Sequence, residues 1–385
     1  MTAERRDSKV TSPMLNTTPV QKPASRPAAK PKIESLDIYR ALAISAVIII
    51  HVTSNPVVRM RQRPDSLLAI FYDFWNRFSQ FAVPSFVFLS GLVLFYNYWD
   101  PERPRRGWVA GFYKKRLLYI FVPYVVWSFV YFLMVQSEKG NAPFDHMKQF
   151  LGSLLTGNNY EHLYYFVMLI QYYVLFPLLL FILQKKHAAR FLIPFAVLFQ
   201  TAFYFLNNKV LHWPSGDIFA TYFLLFSLGA LAGMNYERVT AVLSKWLWLL
   251  LPAFILSGLA FVFASKLYYE WEPRLIPYKM YFNFGIYYLF TASACLSLLI
   301  IANGLFRLLN NSWLARFLSG IGAASFAIFL VHPLFLHYWR LEAVNRYGAY
   351  YHYLTWLGAP VILLLSLGFY KLLRRWKWSW ILIGR

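Results

Sequence analysis

Cysteine is almost absent from this chain. Its single copy, Cys295, sits in an apolar run, so no internal disulfide can form and no cysteine-based metal centre is available. Charge is scarce too. Asp, Glu, Lys and Arg together supply 14% of the residues, where a soluble domain carries about a quarter. The sequence also lacks a glycine-rich phosphate loop, a Gly-x-Ser-x-Gly nucleophile elbow and a His-Glu-x-x-His zinc helix. These absences exclude a secreted disulfide module, a soluble enzyme and a zinc hydrolase, and any phosphate must be held by arginine and lysine side chains.

What the chain has in quantity is apolar surface. Apolar residues make up 59% and aromatic residues 20%, with a mean hydropathy of +0.44. Sustained over 385 residues, that composition places most of the chain in lipid. A formal net charge of +22 would point to nucleic acid in a soluble protein. Here the basic residues fall mostly between apolar segments, so no nucleic-acid partner is expected. The expected fold class is all-α: a polytopic, multi-pass protein of the cell membrane, with the lipid bilayer as its surroundings.

Residues 1–35, with seven Lys or Arg against three acidic residues, read as a disordered basic cytoplasmic tail. Residues 36–385 read as the transmembrane domain. It holds ten apolar stretches able to span, or nearly span, a bilayer core of about 30 Å. Their expected limits are 38–54, 78–98, 117–136, 162–183, 191–206, 218–234, 246–264, 281–302, 317–338 and 350–370. The patch Gly320-Ile321-Gly322-Ala323-Ala324 suits close helix packing. With the amino terminus inside, the cytoplasmic segments hold 25 Lys or Arg and the outer loops 11, which predicts that both termini are cytoplasmic. Arg59, Arg61 and Arg63 in the first outer loop run against that rule.

A charged side chain inside a spanning helix costs on the order of 3 kcal/mol, so each one is a site candidate. The first span pairs Arg40 with His51. Eleven residues at about 100° each return to within roughly 20° of the starting direction and rise about 16 Å, so both side chains share one face. Arg40 lies near the cytoplasmic end, and His51 lies deep, where an imidazole suits a general base. The plainer alternative is a snorkelling arginine and a packing histidine. Arg116, with Lys114 and Lys115, opens the third span level with Arg40. His162, beside Glu161, opens the fourth from the outer side. His332 lies sixteen residues past Arg316, about 24 Å higher on one continuous helix. Cations thus collect below, suited to a phosphorylated ligand, and histidines above, suited to proton chemistry. No metal site is expected.

The segment Leu36-Asp37-Ile38-Tyr39-Arg40, followed by ten residues and His51, resembles the signature of the acyltransferase-3 family of integral membrane proteins. The resemblance continues in order through Val83-Pro84-Ser85-Phe86-Val87-Phe88-Leu89-Ser90-Gly91, Lys115-Arg116-Leu117-Leu118 and His162-Leu163-Tyr164-Tyr165-Phe166. It ends with Phe226-Ser227-Leu228-Gly229 and Ser325-Phe326-Ala327-Ile328-Phe329-Leu330-Val331-His332-Pro333. Gly233-Met234-Asn235-Tyr236-Glu237-Arg238-Val239 is similar to the branch associated with poly-N-acetylglucosamine adhesin production. Two positions depart from the family pattern. Tyr119 stands where a second arginine is often found, and Tyr164 where tryptophan is.

The resemblance implies transfer of a short acyl group, acetyl or succinyl, from acyl-CoA on the cytoplasmic side to a hydroxyl of a cell-envelope polysaccharide or lipid-linked sugar. No cofactor would be bound; acyl-CoA is the donor substrate. Carried over, His51 is the base and Arg40 its partner. Arg40 and Arg116, with Lys115, would hold the donor phosphates, and Glu161 and His162 would face the acceptor. Ser90 or a protonated His332 would serve the developing oxyanion. A different class of reading is a polysaccharide exporter or flippase, and a third is a non-catalytic assembly partner of a glycan synthase. The orientation is the first testable point. Reporter fusions after Asn141 and after Arg375 should report opposite sides of the membrane, and the same side for both would overturn it.

Overall fold

In lipid a backbone N–H or C=O has no water to bond, so a spanning segment outside a closed barrel must be helical. The computed structural model describes residues 30–100, 107–142, 144–267, 274, 279–310 and 312–384. Among them every regular element is helical and none is a strand. Most of the tail expected over 1–35 lies outside the described residues, as do Arg103, Arg105 and Arg106 of the basic count.

The first half of the chain holds α1 (Ser35–Arg59), α2 (Leu67–Phe78), α3 (Ala82–Tyr98), α4 (Trp108–Arg116), α5 (Val122–Glu138), α6 (Met147–Thr156), α7 (Tyr164–Leu183) and α8 (Leu192–Leu206). The second half holds α9 (Phe223–Met234), α10 (Tyr236–Lys245), α11 (Leu247–Lys266), α12 (Lys279–Leu309), α13 (Trp313–Ala323), α14 (Ser325–Trp339), α15 (Tyr351–Leu373) and the short α16 (Trp380–Ile383). Eight helical stretches are long and apolar enough to cross a membrane, or up to ten if each of two bent pairs is one span. The ten expected spans correspond to these, with shifted ends.

The shifts have physical causes. The second span begins at Leu67 rather than 78, because Asp73 and Arg77, which look like a polar boundary in sequence, pair one turn apart at 2.6 Å. The third begins at Trp108 rather than 117. Its helix runs from α4 through a π turn, Leu117–Phe121, directly into α5. Arg116 therefore sits within a continuous helix instead of opening one.

The ninth span is not one straight helix. Trp313–Ala323 and Ser325–Asn345 meet at 77°, so the expected 24 Å rise from Arg316 to His332 does not apply. The glycine patch explains the elbow's position. A Cβ on Gly322 would lie 1.7 Å from the carbonyl oxygen of Asp37, so α13 crosses α1 backbone against backbone. The same device joins α3 to α9. A Cβ on Gly229 would lie 1.9 Å from the Phe88 carbonyl, and one on Gly91 would lie 2.2 Å from that of Phe226. Small residues at such crossings let dispersion and weak polar contacts act where no hydrophobic drive separates protein from lipid.

Helix α1 lies at the centre. It touches α2, α3, α12, α13, α14 and α15, and Ile38, Tyr39, Ala43 and Ile44 on it are fully buried. A substitution pair tests the crossing at Gly322. Gly322→Ala should lower the melting temperature in detergent, matching an overpacking cost of about 1–3 kcal/mol. Gly320→Ala, whose Cβ would meet nothing within 4 Å, should not. Equal melting temperatures for the two variants would show that the contact does not constrain the fold.

Candidate functional site

The face of α1 that carries Arg40 is prepared by the residue three positions earlier. Asp37 is buried and accepts a bond from Arg40 Nη1 at 2.6 Å, and also pairs with Lys32. This ion pair fixes the guanidinium at the wall of a cavity of about 200 Å3. Arg116, Ser90, Tyr165, Tyr173 and Phe329 line the same cavity. Arg116 lies over the rings of Tyr173 and Phe112, at 4.7 and 5.2 Å from their centroids. Its Nε is buried without a hydrogen-bond partner, and no carboxylate pairs with it among the described residues. A guanidinium stabilised by ring faces but left without an anion is suited to receive one. Lys115 is exposed and is not part of this lining.

The three histidines come together at the other end, about 16 Å along α1 from Arg40. The side chain of His51 is 19% exposed, and its Nδ1 lies 3.8 Å from Oε2 of Glu161, itself 73% exposed. The His51 and His332 rings are 5.1 Å apart between centroids, and His332 and His162 are 5.6 Å apart. His332 is fully buried. Its Nδ1 donates to the Ile328 carbonyl at 2.9 Å, so in the neutral ring Nε2 presents a lone pair, and that atom has no hydrogen-bond partner. His162 is 2% exposed and packs edge-on against Tyr131 at 5.1 Å. His51 alone of the three faces outward, through Glu161.

An aromatic wall separates the two ends. Phe329 lines the arginine cavity and also packs on His162 at 5.5 Å, on His332 at 6.0 Å and on Tyr165 at 5.1 Å. Ser90 belongs to the arginine side of this wall, and its hydroxyl donates to the Phe86 carbonyl at 2.8 Å. Ser90 therefore offers no free donor in this arrangement, whereas the protonated His332 expected at the oxyanion would carry an uncommitted proton on Nε2. Ser90 commits its proton to its own helix, and a neutral His332 commits its proton to Ile328.

Two residues of the site were not singled out by sequence reasoning. Asp37 lies inside the quoted motif, yet nothing in the motif assigns it to Arg40. Arg340 was counted as an outer basic residue. Its Nη2 donates to the His51 carbonyl and, at 3.1 Å, to Ser54 Oγ, so it clamps the turn of α1 that carries His51. The available signal was its breach of the inside bias of basic residues. At the same mouth, His337 Nε2 pairs with Glu138 at 2.9 Å.

Residues 33–375 match the family described as "Acyltransferase domain". The chain is similar to the probable poly-beta-1,6-N-acetyl-D-glucosamine export protein of Staphylococcus aureus (strain MRSA252). The two are 24% identical over 308 residues, which cover 77% of this chain and 80% of the relative. The probable poly-beta-1,6-N-acetyl-D-glucosamine export protein of Staphylococcus epidermidis is 26% identical over 329 residues, covering 80% and 82%. No solved structure matches the chain.

The differing exposure of the three rings gives a chemical test. Within this cluster diethylpyrocarbonate should modify His51 well before His162 or His332, as mapped by peptide mass spectrometry. Modification of His332 first would reverse the assignment of the outward-facing ring.

Proposed function

The chain belongs to the acyltransferase-3 family of integral membrane proteins and is an acyltransferase. From that premise we propose that it transfers a short acyl group, acetyl or succinyl, from cytoplasmic acyl-CoA to a hydroxyl of an extracytoplasmic polysaccharide or lipid-linked sugar. One observation carries the reading: a single helix face presents Arg40 to a cavity shared with Arg116, and His51 to a carboxylate-flanked histidine cluster. That is the division of labour an acyl transfer from an anionic donor needs.

In this mechanism the donor phosphates rest on Arg40 and Arg116, and the Phe329 ring turns aside on donor binding so that the acyl arm passes along α1 to His51. The acceptor hydroxyl arrives past Glu161. Glu161 beside Nδ1 supports the imidazolium that forms when Nε2 of His51 takes the hydroxyl proton. The acceptor oxygen bonds to the thioester carbonyl carbon, the carbon–sulfur bond breaks, and the proton held by His51 passes to the departing sulfur. No covalent enzyme intermediate is required. Arg340, through the His51 carbonyl, keeps the ring from drifting, and positional errors of an ångström are enough to slow such chemistry severely.

The names of the Staphylococcus relatives favour a second reading, export of a polysaccharide. Export needs a path for a polymer and has no use for a base. His51→Ala decides between the two. On the proposed reading the variant still binds acyl-CoA, and acyl transfer falls by roughly a hundred- to ten-thousand-fold, as expected for loss of a general base. His332→Ala should cost less. Full transfer by His51→Ala would end this mechanism. A larger loss for His332→Ala would move the base to that ring, and loss of surface polymer with its esters intact would favour export.

A further inference from the structure

Beyond Arg116 the π turn Leu117–Phe121 widens the helix and turns Tyr119 toward a second cavity, of about 280 Å3. Tyr370, Arg374, Trp376, Ser379 and Phe326 also line it. Phe326 lines the arginine cavity as well, so one ring stands between the two. The carboxyl-terminal segment forms part of this cavity and is built into the fold. Trp127 Nε1 donates to the Leu382 carbonyl at 2.8 Å, and Ile383 is buried with Ala327 and Leu373. Gly384 adopts φ 65°, and a Cβ there would lie 2.6 Å from the Tyr119 carbonyl. Only glycine brings the backbone so close in that conformation.

The lining has a distinct chemistry. Arg374 is exposed, lies 6.0 Å from the Tyr370 ring centroid and has no carboxylate partner among the described residues. The cavity therefore offers one unneutralised fork of donors among four aromatic rings, those of Tyr119, Phe326, Tyr370 and Trp376. Aromatic faces stack heterocyclic bases, and a guanidinium binds phosphate bidentately. We infer that this cavity holds the nucleotide end of the donor, with the adenine against Trp376 and the ribose 3′-phosphate on Arg374. The inference rests on the proposed use of acyl-CoA. The pyrophosphate then lies at Arg40 and Arg116, across Phe326.

The competing role for Arg374 and Trp376 is interfacial anchoring, which basic and aromatic residues at helix ends commonly perform. Anchoring would not distinguish one soluble ligand from another. The test measures binding of CoA, 3′-dephospho-CoA and acetyl-pantetheine by calorimetry, with the full chain in detergent. Arg374→Gln should weaken CoA on the order of tenfold, the loss expected for a charge-assisted phosphate contact, and leave the other two probes unchanged. Trp376→Ala should weaken CoA and 3′-dephospho-CoA but not acetyl-pantetheine. If Arg374→Gln binds CoA as tightly as the parent while Arg116→Lys does not, the nucleotide site is overturned and the donor reading stands. An equal loss for all three probes assigns Arg374 to the fold and overturns the site. Failure of the parent chain to bind CoA overturns both.

Discussion

The crossing of α13 over α1 at Gly322 and Asp37 is the constraint on which the rest of the arrangement depends. Asp37 sits on the buried side of α1 and holds Arg40. Its own carbonyl is where the backbone of α13 comes to rest. The close approach leaves no room for a side chain, and α13 ends one residue later. From the elbow, α14 departs at a steep angle and carries Phe326, Phe329 and His332, and the π turn that continues it opens with Arg340. Their positions relative to Arg40 and His51 follow from a single backbone contact. The residue that orients the cation also seats the helix that brings the second histidine.

Much of this was legible in the sequence, and what was not has identifiable reasons. The ten apolar runs stand out because lipid tolerates few interruptions, and the Arg40–His51 spacing can be read because α1 is one uninterrupted helix. Counting from Arg316 to His332 assumes the same of the ninth span, and there the assumption fails, since α13 and α14 are separate helices. The second span was expected to start at 78, past Asp73 and Arg77, because their mutual pairing is invisible until the helix is built. The proximity of His51 to Glu161, and of both to Arg340, joins segments more than a hundred residues apart, and no local pattern encodes it. Lys115 shows a separate limit of reading from a basic run. It shares a basic run with Arg116, but neighbours on a helix point about 100° apart, and only Arg116 reaches the cavity.

The two ends of the site differ in how they manage charge. At the arginine end Asp37 neutralises Arg40, while Arg116 is stabilised by the faces of Tyr173 and Phe112. Ring faces attract a cation without competing for the hydrogen-bond geometry an incoming phosphate would use. At the histidine end the carboxylates are the solvent-accessible groups, with Glu161 at His51 and Glu138 at His337, and the deepest rings are left among aromatic and aliphatic neighbours. Polar character therefore decreases from both mouths toward the middle of the bundle.

That gradient bears on the integrity of the membrane as a barrier. A bundle with a polar recess at each end must not let them merge, or protons and small ions would run down their gradients through it. Phe329 packs at once on Tyr165, His162 and His332, closing the middle with a ring that neither hydrates nor carries charge. An imidazole cluster alone would make a ready proton wire, and the aromatic layer beneath it is what breaks the circuit.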